Sequence, residues 1–218
     1  MKRNLKAIIF DFDGTLAKLN IDFLQMRKSL IELIASYGVP VREISHLLAL
    51  EMIEAGRKWL AANDGTRSAD YVEKTGRLIY EIEMEGARTG ELLAGVREML
   101  TELKSCGIET GVLTRNCMEA VLVMFPDIDE YCRAVLTREA TSKFKPDPEH
   151  LRIALDIVNV PPGNAAMVGD HPIDIEVGKR LGTMTIGVLT GYYNRQGLEE
   201  AGADMIIDSA ANILEYVR

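Results

Sequence analysis

Read for hydrophobic and polar positions, the chain has one short apolar run, then a block of helical stripes, then a long alternation of the two. Ala7 to Phe10 is apolar without a break. That is too continuous for a half-solvated strand and too short for a helix, and it predicts a buried strand of a parallel sheet. From 17 to 92 the period changes. Phe23, Met26, Leu30, Leu33, Ile34 and Tyr37 fall at steps of three and four before Gly38-Val39-Pro40. Ile44, Leu48, Met52, Ala55 and Trp59 repeat the step, as do Tyr71, Thr75, Leu78, Ile79 and Ile82. These stripes predict an all-helical insert whose apolar faces form the core of a small bundle.

Beyond 92, stripes and runs alternate. Helices are predicted near 92–105, 116–124, 148–158, 172–181 and 210–217, and strands near 108–113, 133–137, 164–168, 183–188 and 204–207. The fold class is therefore α/β: a doubly wound parallel sheet with right-handed crossovers and an inserted α-helical cap domain. The expected division is a core of residues 1–16 and 93–218 and a cap of residues 17–92. An insert leaving the C-terminal end of the first strand is expected at the ligand-binding edge, where it can act as a lid. Hinges are expected near 17–19 and 86–95, where glycines cluster.

Composition narrows the partners. With 218 residues, 47% hydrophobic and 27% charged, the chain is an ordinary globular one. Acidic residues exceed basic ones by 33 to 25, a net charge of −8, without the basic excess that binding a phosphate backbone requires. Nucleic acid is not an expected partner. Cys106, Cys117 and Cys132 lack the spacing of a zinc site or redox pair and are read as reduced, mostly buried thiols. The start from Met1 to Lys6 is basic, but the apolar run behind it ends at Asp11, and no stretch is long enough to span a bilayer. A soluble cytoplasmic protein with no membrane partner is expected. Its oligomeric state is not written in the pattern.

The chemistry gathers at predicted strand ends. Asp11 and Asp13 leave the first strand two residues apart in Asp11-Phe12-Asp13-Gly14-Thr15. Two carboxylates about 4 Å apart repel by roughly 4 kcal/mol at a protein-like dielectric. They must separate, share a proton, or take a cation, and a hard ion such as Mg²⁺ suits oxygen ligands. Alone, the pair also reads as a capped turn. Thr114-Arg115-Asn116 follows the next strand at a helix start, where a threonine is a cap or an anion donor. Lys145, in Lys145-Pro146-Asp147-Pro148, is a surface lysine or a point charge held by prolines for phosphate. Asp170 and Asp174 flank His171-Pro172-Ile173 after Gly169. His46, His150 and His171 are too scattered for a metal cluster, and His171 reads as a loop residue.

In order and placement these four segments, DFDGT at 11–15, LTRN at 113–116, KPDP at 145–148 and GDHPID at 169–174, resemble the signature motifs of the haloacid dehalogenase-like hydrolase superfamily. The likeness spans essentially the whole chain and is nearest to phosphoglycolate phosphatase-like members with a helical cap. It implies that Asp11 is the nucleophile that becomes an aspartyl-phosphate, and that Asp13 is the general acid and then base. It implies that Thr114 and Lys145, with Arg115 and Asn116 beside them, hold phosphoryl oxygens. Mg²⁺ would then lie between Asp11, the Asp13 backbone carbonyl and Asp170, with Asp174 orienting Lys145 or a metal-bound water.

The resemblance therefore implies a Mg²⁺-dependent phosphatase of a small phosphorylated metabolite, a phosphoglycolate-like phosphomonoester. Dehalogenases of the superfamily lack the second aspartate and the metal, so Asp13 and Asp170 favour phosphoryl transfer. Two alternatives keep the same core: a phosphosugar mutase of the superfamily, and a non-catalytic binding protein. A phosphate-relay receiver domain is disfavoured by the insert and the length. Substrate choice is expected in the cap, whose basic residues include Arg57, Lys58, Arg67, Lys74, Arg77 and Arg88, each equally readable as part of a solvated helix face.

Overall fold

The computed structural model describes residues 5–141 and 143–217; the first four residues of the basic start lie outside that range. The chain divides into two compact units, one of Met1–Leu19 with Ala87–Arg218 and one of Asn20–Gly86.

In the first unit the strands are β1 (Ala7–Phe10), β2 (Ala17–Lys18), β3 (Glu91–Leu92), β4 (Glu109–Leu113), β5 (Ala134–Leu136), β6 (Ala165–Gly169), β7 (Met184–Val188) and β8 (Met205–Ile207). Six of them form a sheet in the order β5-β4-β1-β6-β7-β8, with every pair parallel. All four residues of β1 are fully buried, as a central strand covered on both faces requires. Ala7 and Ile9 pack with Met167, Leu151, Leu155 and Val177 in a cluster contributed partly by the helices that cover one face. From β1 the chain goes next to β4 on one side, whereas from β6 it goes to β7 on the other. The crevice where the winding reverses therefore opens between the C-terminal ends of β1 and β6, the place where such sheets bind ligands.

The helices are α1 (Phe23–Ser36), α2 (Val41–Ile44), α3 (Ala49–Asn63), α4 (Ser68–Thr89), α5 (Val96–Ser105), α6 (Met118–Met124), α7 (Ile128–Tyr131), α8 (Pro148–Val158), α9 (Pro172–Leu181), α10 (Arg195–Glu200) and α11 (Leu214–Val217). Differences from the sequence pattern have local causes. The helix expected from 92 begins at Val96, because β3 pairs antiparallel with β2. That ribbon, with Leu93 N–H donating to the Leu16 carbonyl, groups residues 17–19 and 87–92 with the sheet and not with the insert. The helix expected over 210–217 is a 3₁₀ turn, Ala210–Ile213, followed by α11. Ile44 and Leu48 do not share a helix, since α2 ends at Ile44 and α3 begins at Ala49. α10, too short for a period, is capped by Asn194, whose Oδ1 accepts the Gly197 N–H at 3.0 Å.

The second unit packs Leu30, Ile34, Tyr37, Val39, Met52, Leu60, Tyr71 and Ile79 into its own core, so most of each stripe is bundle core, whereas Phe23 and Leu48, at helix starts, are exposed. Arg57 and Lys58 pair with Glu54, Arg67 with Asp64, Lys74 with Asp70 and Arg77 with Glu81, all one helical turn apart. Gly56 lets α3 approach α4: a Cβ there would stand 2.1 Å from the hydroxyl oxygen and 2.8 Å from Cζ of Tyr71, a fully buried ring. The hydroxyl donates to the Ile53 carbonyl at 3.1 Å, which holds the ring in place. Alanine would gain about 1 kcal/mol of helix propensity, but the overlap decides the sign. Gly56→Ala is expected to destabilise this unit by about 1–3 kcal/mol, measured by urea unfolding.

Candidate active site

β1 delivers Asp11 and β6 delivers Asp170 on neighbouring strands. Phe10 pairs with Val168 in register, and the Asp11 N–H donates to the Val168 carbonyl at 2.8 Å. α9, opened by Pro172, places Asp174 in its first turn, fully buried. Carboxylate oxygens of Asp11, Asp170 and Asp174 lie within 4.8 Å of one another.

Among the described residues, one cation enters this group. Lys145, 1% exposed, sets its Nζ 2.7 Å from Asp11 Oδ1 and 2.7 Å from Asp174 Oδ1. It is not the surface lysine that its loop position alone allows. Lys143 is exposed. Asp174 uses its other oxygen to accept the His171 N–H at 3.2 Å. His171 itself caps α9, with Nδ1 accepting the Ile173 N–H at 3.1 Å. Asp170 Oδ2 accepts the Tyr192 N–H at 2.9 Å.

Two glycines make the convergence possible. A Cβ on Gly169 would stand 2.1 Å from Asp174 Oδ2, and one on Gly14 would stand 2.6 Å from Asp170 Oδ2. Gly14 also has a φ of +78°, the left-handed turn by which the chain leaves β1.

Asp13 belongs to a second set. Asn116 Nδ2 donates to both of its oxygens, at 3.3 and 3.2 Å, and Thr114 Oγ1 lies 3.4 Å from Oδ2. Thr114 is buried, and its Oγ1 accepts the Asn116 N–H at 3.0 Å, so it also serves as the turn residue at the end of β4. Arg115 turns toward the Lys145 loop. Its Nη1 donates to the Lys145 carbonyl at 3.2 Å, and its guanidinium lies over the Phe144 ring. Thr114, Arg115 and Asn116 are thus engaged with Asp13 or with that loop.

The electrostatics follow from three buried acids and one ammonium. Burial, then the Asp174 charge, pushes the Asp11 carboxyl up to about 6 against the pull of Lys145. Burial, then Asp11 and Asp174, pushes Asp170 up to about 7. For Lys145, burial works against the charge, but Asp11 and Asp174 outweigh it and hold the ammonium above its usual range. Protein charge alone leaves the acids underneutralised. Hard oxygen donors with surplus negative charge fit a divalent cation. Asp174 has Lys145 and the His171 amide on its two oxygens, which leaves Asp11 and Asp170 as the better-placed ligands of the three.

Sequence reasoning did not anticipate the part played by the loop after β7, which supplies the Tyr192 amide, or by His150, fully buried beside Lys145. A strand-end loop on the ligand-binding edge was a signal for the first. Nothing in the pattern around His150 marked it. Cys117 and Cys132 are buried and Cys106 is exposed, all as free thiols. Among the described residues no helix is long and apolar enough to cross a membrane.

Sheet and cluster together define an α/β enzyme with a carboxylate-rich centre at its switch point. Residues 8–188 match the family model described as haloacid dehalogenase-like hydrolase, and the chain belongs to that family. It is 30% identical to a Clostridium perfringens relative named as a pyrophosphatase (PpaX), over 98% of this chain and 97% of that one. It is 26% identical to the N-acetylmuramic acid 6-phosphate phosphatase of Pseudomonas aeruginosa, over 100% and 97%. Among solved structures it resembles that of CbbY from Rhodobacter sphaeroides in complex with phosphate, with a TM-score of 0.66, 26% identity and 96% coverage of each chain. Family and relatives make the chain a phosphatase acting on small phosphorylated substrates.

Proposed function

We propose that the chain is a Mg²⁺-dependent phosphatase that hydrolyses a small, phosphoglycolate-like phosphomonoester through an aspartyl-phosphate. The observation that carries this reading is the buried set Asp11, Asp170 and Asp174 facing the ammonium of Lys145 at the β1–β6 switch point. A carboxylate of Asp11 attacks phosphorus, forming an O–P bond as the ester O–P bond breaks, and Asp13 gives its proton to the leaving alkoxide. Water then attacks the aspartyl-phosphate, Asp13 takes the proton, and inorganic phosphate leaves with Asp11 restored. The hydrogen bonds from Asn116 and Thr114 support the acid–base role by fixing the Asp13 carboxylate.

Lys145 and Thr114 hold the transferring oxygens, with Arg115 and Asn116 steadying the loops beside them. Asp174 orients the Lys145 ammonium. Asp11, the Asp13 carbonyl and Asp170 would hold Mg²⁺, which when bound neutralises charge on the phosphoryl group. We place this chemistry in the cytoplasm, where free thiols persist.

The test is phosphate release from an aryl phosphate and from a panel of 2-phosphoglycolate, pyrophosphate and N-acetylmuramic acid 6-phosphate. A relative in Cupriavidus necator is named phosphoglycolate phosphatase, and the other two substrates come from the names of the relatives above. Release is expected with Mg²⁺, to vanish with EDTA and to return when Mg²⁺ is added in excess. Release that persists in EDTA would remove the metal from the reading. Isomerisation of a sugar phosphate with little phosphate released would make the chain a mutase.

A further inference from the structure

His150 has no part in the chemistry above, yet it is fully buried in the first turn of α8, directly behind the Lys145 loop. Its Nδ1 accepts the backbone N–H of Lys145 at 3.3 Å. Its Nε2 is buried and meets no hydrogen-bond partner at proper geometry. Burying a polar ring with one nitrogen unsatisfied is unfavourable, and a phenyl ring would avoid that loss. What the imidazole supplies, and a phenyl ring cannot, is an acceptor for the Lys145 amide.

That amide lies in a loop outside the sheet ladders, closed by Pro146, which has no N–H of its own. On its other side the Lys145 carbonyl accepts from Arg115 Nη1. Both backbone polar groups of Lys145 are therefore held by side chains, one from α8 and one from the loop that follows β4. Between them they fix the point from which the side chain reaches Asp11 and Asp174.

We propose that His150 is a positioning residue: through Nδ1 it fixes the Lys145 backbone, and so fixes the ammonium between Asp11 and Asp174 in the geometry that phosphoryl transfer uses. The role requires the neutral tautomer with the proton on Nε2. Burial, then the Lys145 and Arg115 charges, holds the imidazole down to about 4, while the Thr137 carbonyl works the other way. The acceptor is thus present throughout the neutral range.

The inference rests on reading Lys145 as a group that holds the transferring phosphoryl oxygens, so wild-type phosphate release is measured first. His150→Phe keeps the ring volume and removes the acceptor, while His150→Asn returns an acceptor oxygen close to the place of Nδ1. His150→Phe is expected to keep a Tm near that of the wild type while kcat falls about 10–100-fold, the scale of a misplacement of about 1 Å in an active site. His150→Asn is expected to recover most of that loss. A residue serving only as core would change Tm and leave the kcat of the folded fraction alone.

A folded His150→Phe with wild-type kcat and KM overturns the proposal, as does an Asn variant as slow as the Phe variant. Should the Phe variant not fold, ¹⁵N NMR of the wild-type imidazole decides: a bare Nδ1 and a protonated Nε2 at pH 7 are expected, and a proton on Nδ1 overturns the role. Absence of wild-type turnover would sink the phosphatase reading instead, and the NMR result would still stand for or against the clamp.

Discussion

Asp11→Asn is expected to give a folded protein without measurable turnover that, free of metal, is more stable than the wild type at pH 8. The loss of turnover follows from the nucleophile assignment: an amide oxygen cannot form the aspartyl-phosphate, and a fall of at least about a thousandfold is expected. The gain in stability follows from the same carboxylate. Its folded-state value of about 6 stands above its ordinary 3.8, chiefly through burial and the Asp174 charge. Between those two values the folded chain keeps a proton that the unfolded chain has released. Stability therefore falls as pH rises through the window, by up to about 3 kcal/mol when the shift is converted. Asp170, raised to about 7, acts in the same direction.

Asparagine has no charge to titrate, and its oxygen can still accept from Lys145, so it escapes the Asp11 share of that loss. Urea unfolding in EDTA should show the variant ahead by about 1–3 kcal/mol at pH 8 and near parity at pH 4, below most of the Asp11 titration. On the proposed reading Mg²⁺ should narrow or reverse the gap, since its binding would stabilise the chain that keeps both proposed ligands, Asp11 and Asp170. A variant less stable than metal-free wild type at pH 8 would mean that the pull of Lys145 exceeds the cost of burial. Retained turnover would remove the nucleophile assignment outright.

The strand ends were readable because a parallel sheet separates its labours: apolar runs make the strands, and whatever is polar just after them lies on the binding edge. Ala7 to Phe10 followed by Asp11 is legible for that reason, and so is β6 followed by Asp170. The ribbon of β2 and β3 was not, because two-residue strands have no period to detect. Nor could a pattern show that Lys145 is buried while Lys143, two residues earlier, is exposed. The proline after it sets Lys145 apart in sequence, but its burial arises from the carboxylates of Asp11 and Asp174, which come from elements far apart in the chain. His150 was missed for a related reason. A lone histidine near a helix start has no neighbour in sequence that declares its partner, and its burial is decided by how α8 packs on the sheet.

Lys145→Met should carry the largest stability cost of any single change at the site. Removing the ammonium leaves Asp11 and Asp174 buried without their shared cation, and Asp174, fully buried, keeps only the His171 amide among the partners described above. Breaking a buried ion pair from one side costs about 3–5 kcal/mol, because the remaining charge is uncompensated. Methionine keeps most of the volume, so the loss is electrostatic and not a cavity effect. Lys143→Ala, at an exposed position, should change stability by less than about 0.5 kcal/mol. The electrostatic origin has its own check. Adding Asp174→Asn to Lys145→Met removes one of the stranded charges, so the double variant should be more stable than Lys145→Met alone, with a coupling of about 1–3 kcal/mol. It should nonetheless remain inactive, since stability is recovered without restoring the group proposed to hold the phosphoryl oxygens. In steady-state assays Lys145→Met should lose kcat and phosphate affinity together, whereas Lys143→Ala should keep both. If Lys143→Ala carried the loss instead, the wrong lysine would have been assigned to the phosphoryl group. If the double variant were less stable than Lys145→Met, the ammonium would be acting through packing and not through charge.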